Sequence, residues 1–181
     1  MGSNTTAANL ILRKHIKDHG YADSKTLDLY FDCIKSDAPK TYKGTKFEGC
    51  ILYKFTIGSG EIKYAQDPNG LADGYCRIGK AIPGLIGKKW LMTTDVKEKT
   101  LSPFWFKEGF IRVNVQKRTE LHLEMWDKDL IKDDFIGSAI INLNEVTEYR
   151  PVDKYYTITD SKGKETGKVF LSIRIHKKFD Y

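Results

Sequence analysis

From Cys50 to the end of the chain, hydrophobic and polar positions alternate in short runs of the kind that β-strands show. The runs are rich in β-branched and aromatic residues, and ELHLEMW and KVFLSIRI follow the period of two most closely. Turn-forming residues separate the runs, as in GSG, DPNG and DSKGKETG. Short strands at regular spacing, with no long helical pattern between them, predict an all-β fold, an antiparallel sandwich. The predicted strands cover 50–57, 75–79, 88–94, 109–115, 120–126, 138–143, 154–158 and 168–175.

The first fifty residues follow a different pattern. The basic stretch NLILRKHIKDHG, with an uneven apolar stripe, favours an N-terminal appendage over residues 1–22 that is either flexible or a short helix. Residues 26–34 alternate apolar and polar positions, which favours a strand, although a helix fits 24–34 nearly as well. A polar connection follows over 35–46. We interpret 23–181 as one domain.

Composition and charge narrow the class of protein. The chain has 181 residues, 40% of them hydrophobic, which is enough for one domain with a buried core. It shows neither an apolar run of the ~18 residues that a membrane span needs nor a signal-peptide core, and its three cysteines form no CxxC pair. These features predict a cytoplasmic protein without a disulfide framework or a zinc site. The formal net charge of +6 predicts an anionic partner, either nucleic acid or anionic lipid.

The acidic residues cluster in two segments that are predicted to be loops. DKDLIKDDFIG begins directly after a predicted strand, and DPNGLADGY places two aspartates around an Asn-Gly turn. Carboxylates that meet at one end of a sandwich repel one another unless a cation offsets the charge. Calcium suits such a site, since it takes 6–8 oxygen ligands at ~2.3–2.6 Å. The spacing excludes a helix–loop–helix calcium loop, because its glycine and its last acid would fall at Lys132 and Ser138.

Four segments together resemble the C2 domain family, in order and in spacing, over about 50–176. They are DPNGLADGYCRI, KTLSPFWFKEGFIRV, LHLEMWDKDLIKDDFIGSAIINL and GKVFLSIRI. The resemblance implies an eight-stranded Greek-key sandwich that binds calcium between loops at one end and commonly docks on phospholipid. Because KVFLSIRI is nearly the last segment, the resemblance also implies a strand before Cys50, at 26–34, as in synaptotagmin-like members.

The same resemblance implies a set of calcium ligands. They are Asp67 and Asp73 in the first loop, and Asp127, Asp129 and Asp134 in the third. The third loop is one residue shorter than usual after Asp129, so Asp133 stays open as a substitute for Asp134. Gly74 stands where the family usually has proline. The alternative is a solvated acidic rim that binds nothing.

Two further groups of residues are candidates for contact with lipid. At the predicted loop tips, Leu71, Leu130 and Ile131 either insert into the membrane interface or pack against neighbouring loops. Basic residues on the segments that match the family's third and fourth strands either bind lipid headgroups or form a solvated face. These are Lys88, Lys89, Lys97 and Lys99, with Arg77 and Lys80 beside them.

The N-terminal MGSNTT fits the pattern for N-myristoylation at Gly2, although the same opening is common as a cloning remnant. One myristoyl chain gives only marginal membrane binding, ~10⁴ M⁻¹, so a second signal would be needed. The basic residues that follow, or the C2-like domain, would supply it.

Other functional classes find little support. The sequence has neither a Gly-x-Ser-x-Gly motif nor a P-loop, and its four histidines are scattered, so we predict that it is not an enzyme. Nucleic acid is disfavoured because the strongest site-like feature is acidic. The predicted function is calcium-dependent binding to anionic phospholipid, as a peripheral membrane protein that recruits itself or a protein partner. The alternative is a calcium-independent interaction or scaffold module.

Overall fold

The computed structural model describes residues 49–65, 67–81, 87–114 and 120–179. Four predictions lie outside these ranges: lipidation of Gly2, the appendage 1–22, the strand 26–34 and the connection 35–46.

Among the described residues, eight antiparallel strands carry the fold, and each contains or overlaps one of the segments predicted from Cys50 onward. A single turn of 3₁₀-helix, Leu143–Glu145, follows the sixth strand. The strand predicted at 26–34 stays a prediction, because those residues lie outside the described ranges. The strands are β1 (Cys50–Ile62), β2 (Gly74–Ala81), β3 (Lys88–Thr93), β4 (Phe104–Asn114), β5 (Glu120–Asp127), β6 (Asp134–Ile141), β7 (Val152–Thr159) and β8 (Glu165–Lys178).

The strands follow the order β3-β2-β5-β6-β7-β8-β1-β4, each antiparallel to its neighbours. A single residue pair, Ser138 with Thr159, joins β6 to β7 in the described ladder. The order therefore divides into two four-stranded sheets, β3-β2-β5-β6 and β7-β8-β1-β4. Their inner faces share one hydrophobic core, in which Leu123 and Met125 of the first sheet belong with Phe55 and Leu171 of the second. The predicted all-β antiparallel sandwich is confirmed.

The two sheets approach closely near the start of β6 and β8. Between the sheets, a Cβ atom on Gly137 would lie 2.5 Å from Cγ2 of Ile158. Within the second sheet, a Cβ atom on Gly167 of β8 would overlap the carbonyl oxygen of Glu61 on β1. The Thr166 hydroxyl donates to the carbonyl of Ile136 at 2.8 Å. These contacts fix the ends of β1, β6 and β8 beneath the loops described next.

No helix among the described residues is long and apolar enough to span a membrane.

Candidate functional site

Strand β5 brings the two acidic segments to the same end of the sandwich. Its last residue, Asp127, pairs with Gly74 of β2 on one side and with Asp134 of β6 on the other. The segment before β2 (63–73, loop one) and the segment before β6 (128–133, loop three) therefore leave the sheet side by side. Each of the five predicted ligand positions lies on or next to one of these two loops.

Asp127 occupies the centre of the acidic end. It continues the inward-facing alternation of Leu123 and Met125, and only 1% of its surface is exposed. Its Oδ1 accepts the backbone N–H of Asp73 at 2.6 Å, whereas its Oδ2 is buried and has no hydrogen-bond partner. Burial raises the pKa of the Asp127 carboxyl, and repulsion from Asp67, Asp129 and Asp73 raises it further, against the lowering effect of the Asp73 N–H. A buried, unpartnered carboxylate oxygen is costly unless a cation or proton meets it.

Asp73 ties three loops together. Its carbonyl accepts the N–H of Lys128 in loop three at 2.9 Å. Its Oδ1 accepts the N–H of Lys99 at 2.6 Å, and Lys99 adopts the left-handed conformation there, with φ of 53°. Lys99 belongs to the segment between β3 and β4 (94–103, loop two), so all three loops meet at one aspartate.

The Asn-Gly turn predicted in loop one is present. Gly70 has φ of 81° and donates its N–H to the carbonyl of Asp67 at 3.0 Å, while Asn69 Oδ1 accepts the N–H of Leu71 at 2.9 Å. The turn therefore pairs the backbone groups of Asp67, while the Asp67 carboxylate repels the carboxylates of Asp127 and Asp129.

The carboxylate of Asp129 is repelled by carboxylates of both acidic loops. Partial desolvation raises the pKa of its carboxyl, and so does repulsion from Asp134, Asp67, Asp133 and Asp73. The predicted ligands therefore form one electrostatically coupled group.

Asp133 differs from the other acids because donors surround its carboxylate. Its Oδ2 accepts the Tyr75 hydroxyl at 2.7 Å, and its Oδ1 accepts the N–H of Asp129 at 3.2 Å. Lys128 Nζ lies 3.3 Å from Oδ1. The bond from Tyr75, followed by that from Asp129, holds the pKa of Asp133 below its usual value. Sequence reasoning missed Tyr75 and Lys128; the available signal was a tyrosine at the start of the strand beside β5.

The donor set fits calcium in its chemistry. The candidate ligands are carboxylates, which calcium prefers, and the buried Oδ2 of Asp127 has no other partner. As arranged in the described parts of the chain, no three acidic, histidine or cysteine side chains converge closely enough to hold a metal ion.

The apolar tip residues separate into two groups. Leu130 and Ile131 of loop three are fully exposed, at 106% and 100% of their reference surface, so they do not pack against neighbouring loops. Leu71 of loop one is partly buried.

The predicted basic residues do not form one face. Lys88 lies 3.3 Å from Glu124, which also lies 3.7 Å from Arg77. Lys89 is the next residue on β3 and so points to the opposite face. Lys97 donates its backbone N–H to Gly74 at 3.0 Å, which places loop two against loop one. Lys97 and Lys99 thus lie beside the acidic end, away from the Lys88–Glu124 pair.

Comparison with known proteins gives a consistent result. The family model described as "C2 domain" matches residues 54–158. A C2 domain-containing protein of Dictyostelium discoideum is 34% identical over 137 residues, covering 75% of this chain and 65% of the relative. Extended synaptotagmin-2-B of Xenopus laevis is 29% identical over 123 residues, 68% of this chain and 12% of the relative.

Among solved structures, the calcium-bound pair of C2 domains from Extended-Synaptotagmin 2 is similar, with a TM-score of 0.55 and 25% identity. The similarity covers 69% of this chain and 45% of that one. The chain spans less than two thirds of the length of both sequence relatives.

Proposed function

The chain belongs to the C2 domain family, and from this premise we propose that it binds anionic phospholipid membranes in a calcium-dependent manner through loops one and three. The observation that carries the proposal is the buried Oδ2 of Asp127, which lies among coupled carboxylates without a partner. The calcium-bound state of a structural relative supports the choice of ion.

The residues that would hold the ion are the carboxylates of Asp67, Asp73, Asp127, Asp129 and Asp134. Bound calcium would supply positive charge at this end and ligand positions for lipid phosphate or carboxylate. In the absence of the ion, the same carboxylates present concentrated negative charge, which an anionic leaflet repels.

The surroundings of the acidic loops favour a membrane as the partner. Leu130 and Ile131 offer two fully exposed apolar side chains at the tip of loop three. Loops two and three also carry four lysines, Lys97, Lys99, Lys128 and Lys132, of which Lys128 is paired with Asp133. Near an anionic surface, each lysine contributes about 1 kcal/mol to binding. Exposed apolar side chains on a loop tip, with lysines on the same and the neighbouring loop, suit an interface of apolar chains and anionic headgroups.

The test is cosedimentation of the full chain with phosphatidylserine-containing liposomes, in calcium and in chelator. Wild-type protein should pellet in calcium and stay in solution in chelator. Asp67→Asn with Asp129→Asn removes two candidate ligands at nearly constant volume and should abolish calcium-dependent pelleting. The control, Glu108→Gln with Asp153→Asn, makes the same change in net charge on the second sheet and should behave as wild type. Pelleting that is equal in calcium and chelator, or absent in both, would refute the proposal.

A calcium-independent interaction module is the second candidate, and one surface favours it. Phe104 and Phe106 stack with ring centroids 6.0 Å apart and are 64% and 60% exposed. They line a groove of about 490 Å³ on the outer face of the second sheet, together with Phe170. An interaction module would still bind its partner when Asp67 and Asp129 are changed to asparagine. A domain that binds membranes through calcium would lose its calcium-dependent binding to liposomes in the same variant.

A further inference from the structure

Asp133 and Tyr75 form a link between the two halves of the acidic end. Tyr75 is the second residue of β2, directly after loop one, and Asp133 is the last residue of loop three. The Tyr75 hydroxyl donates to Asp133 Oδ2 at 2.7 Å, across 58 positions of sequence. A tyrosine hydroxyl is protonated at physiological pH, so it donates to the carboxylate.

The other oxygen of Asp133 closes loop three on itself. Oδ1 accepts the N–H of Asp129, four residues earlier, at 3.2 Å. Lys128 Nζ lies 3.3 Å from Oδ1 and 3.4 Å from Oδ2. Both oxygens therefore already accept hydrogen bonds, and 21% of the side chain is exposed.

These contacts distinguish Asp133 from its neighbour Asp134. Asp134 is the first residue of β6 and pairs with Asp127, the central carboxylate. Its charge is the strongest of the repulsions that act on Asp129. Asp134 thus stands beside the central carboxylate, whereas the carboxylate of Asp133 accepts from hydroxyl, amide and ammonium donors.

We propose that Asp133 is a positioning residue, which the Tyr75 hydroxyl anchors, and that it holds loop three so that Asp129 and Asp134 face the calcium site. This inference rests on the proposed function, because it assigns roles within the same site. Tyr75 supplies the fixed point on β2, and Lys128 compensates the charge of Asp133 on the solvent side. Asp134, not Asp133, is then the ligand that precedes β6.

The decisive variant is Tyr75→Phe, which removes the hydroxyl and keeps the ring. Tyr149→Phe is the matched control, since Tyr149 is an exposed tyrosine outside the acidic end. Hydrogen exchange of the chain in chelator measures the effect of the Tyr75–Asp133 hydrogen bond on loop three in the absence of metal. The amides of 128–134 should exchange faster in Tyr75→Phe than in wild type, while the rest of the sandwich and the Tyr149→Phe variant should remain unchanged.

Calcium affinity, measured by competition with a chromophoric chelator, tests whether the Tyr75–Asp133 hydrogen bond supports calcium binding. Tyr75→Phe and Asp133→Asn should each weaken calcium binding by about ten-fold at unchanged stoichiometry. Their double variant should be little weaker than either alone, because both break the same link. Asp134→Asn should instead reduce the number of bound ions.

The outcomes separate this inference from the proposed function. If wild type binds no calcium, the proposed function fails, and the positioning role fails with it. If wild type binds calcium but Tyr75→Phe is identical to it in affinity and exchange, only the inference fails. Loss of an ion in Asp133→Asn, with full stoichiometry in Asp134→Asn, would show that Asp133 is the ligand and would overturn the assignment.

Discussion

At the scale of single residues, the carboxylates of the acidic end differ in how many hydrogen-bond donors they have. Asp127 is buried and lacks a partner for one oxygen, while Asp133 is held by three donors. The sequence could predict which aspartates stand in the loops, because the C2-like motif fixes their positions. The resemblance placed Asp134 ahead of Asp133 as a ligand but left Asp133 open as a substitute, since two adjacent identical residues differ only in the direction that the start of β6 gives them. The partner that separates them, Tyr75, is remote in sequence.

Acidification in chelator should stabilise wild-type protein relative to Asp127→Asn. The pKa of Asp127 is raised in the folded state, so the folded protein takes up a proton before the unfolded chain does. Its ionised form therefore costs stability at neutral pH, and that cost disappears as pH falls toward the unfolded value of 3.8. The melting temperature of Asp127→Asn in chelator should exceed that of wild type at pH 7, and the difference should shrink as the pH is lowered toward 3.8. A difference that does not change with pH would contradict the charged, buried state of Asp127.

Replacement of Leu130 and Ile131 by serine should separate membrane affinity from calcium affinity. Both side chains are fully exposed, so stability should change by less than about 0.5 kcal/mol and calcium affinity should not change. Burial of such a side chain in an apolar phase is worth about 1.5–3 kcal/mol, so calcium-dependent liposome binding should weaken ten-fold or more. Liposome titration measures this, with Ile140→Ser, an exposed apolar position on β6, as the control. Equal losses in the two variants would rule out a specific role for the loop-three tip.

At the scale of elements, period-two alternation predicted each described strand but not every boundary. β4 begins at Phe104, five residues before the prediction, because the strand continues through Phe106 despite its left-handed φ of 48°. β6 begins at Asp134 because Phe135 pairs with Trp126 in the ladder. Neither feature follows from the apolar pattern, since one depends on a local backbone irregularity and the other on register with a partner strand.

Gly167→Ala should destabilise the sandwich far more than Gly58→Ala does. The new Cβ at position 167 would overlap the backbone carbonyl of Glu61, which cannot move without breaking the β1–β8 ladder. At position 58 the nearest atom is a ring carbon of Phe170 at 3.2 Å. Urea unfolding should show a loss of about 1–3 kcal/mol or more for Gly167→Ala, and much less for Gly58→Ala. Similar losses would mean that the close approach of β8 to β1 is not a packing constraint.

At the scale of the whole molecule, a chain of formal charge +6 concentrates negative charge at one end. The net charge predicted an anionic partner. The clustering of the acids predicted that a bound cation would control binding to that partner. The pairing order that places the loops together was not available from composition or periodicity. It was implied by the family resemblance, because strand order depends on contacts between segments far apart in the chain.

Membrane binding in calcium should require anionic lipid and should weaken as salt rises. Screening shortens the Debye length from about 10 Å at 0.1 M salt to about 3 Å at 1 M, which weakens the attraction of flanking lysines to the leaflet. Pelleting should fall steadily between about 0.1 and 0.5 M NaCl and should be absent with pure phosphatidylcholine. Binding that is indifferent to both salt and lipid charge would indicate apolar insertion alone.

Calorimetric titration of calcium into the 181-residue chain tests the central claim most directly, because it involves neither membrane nor partner. Wild-type protein should show saturable calcium binding that magnesium does not reproduce, and Asp127→Asn should bind at least one ion fewer. A wild-type chain that binds no calcium at millimolar concentration, or binds it equally well without the Asp127 charge, would contradict the assignment of the acidic end as a calcium site.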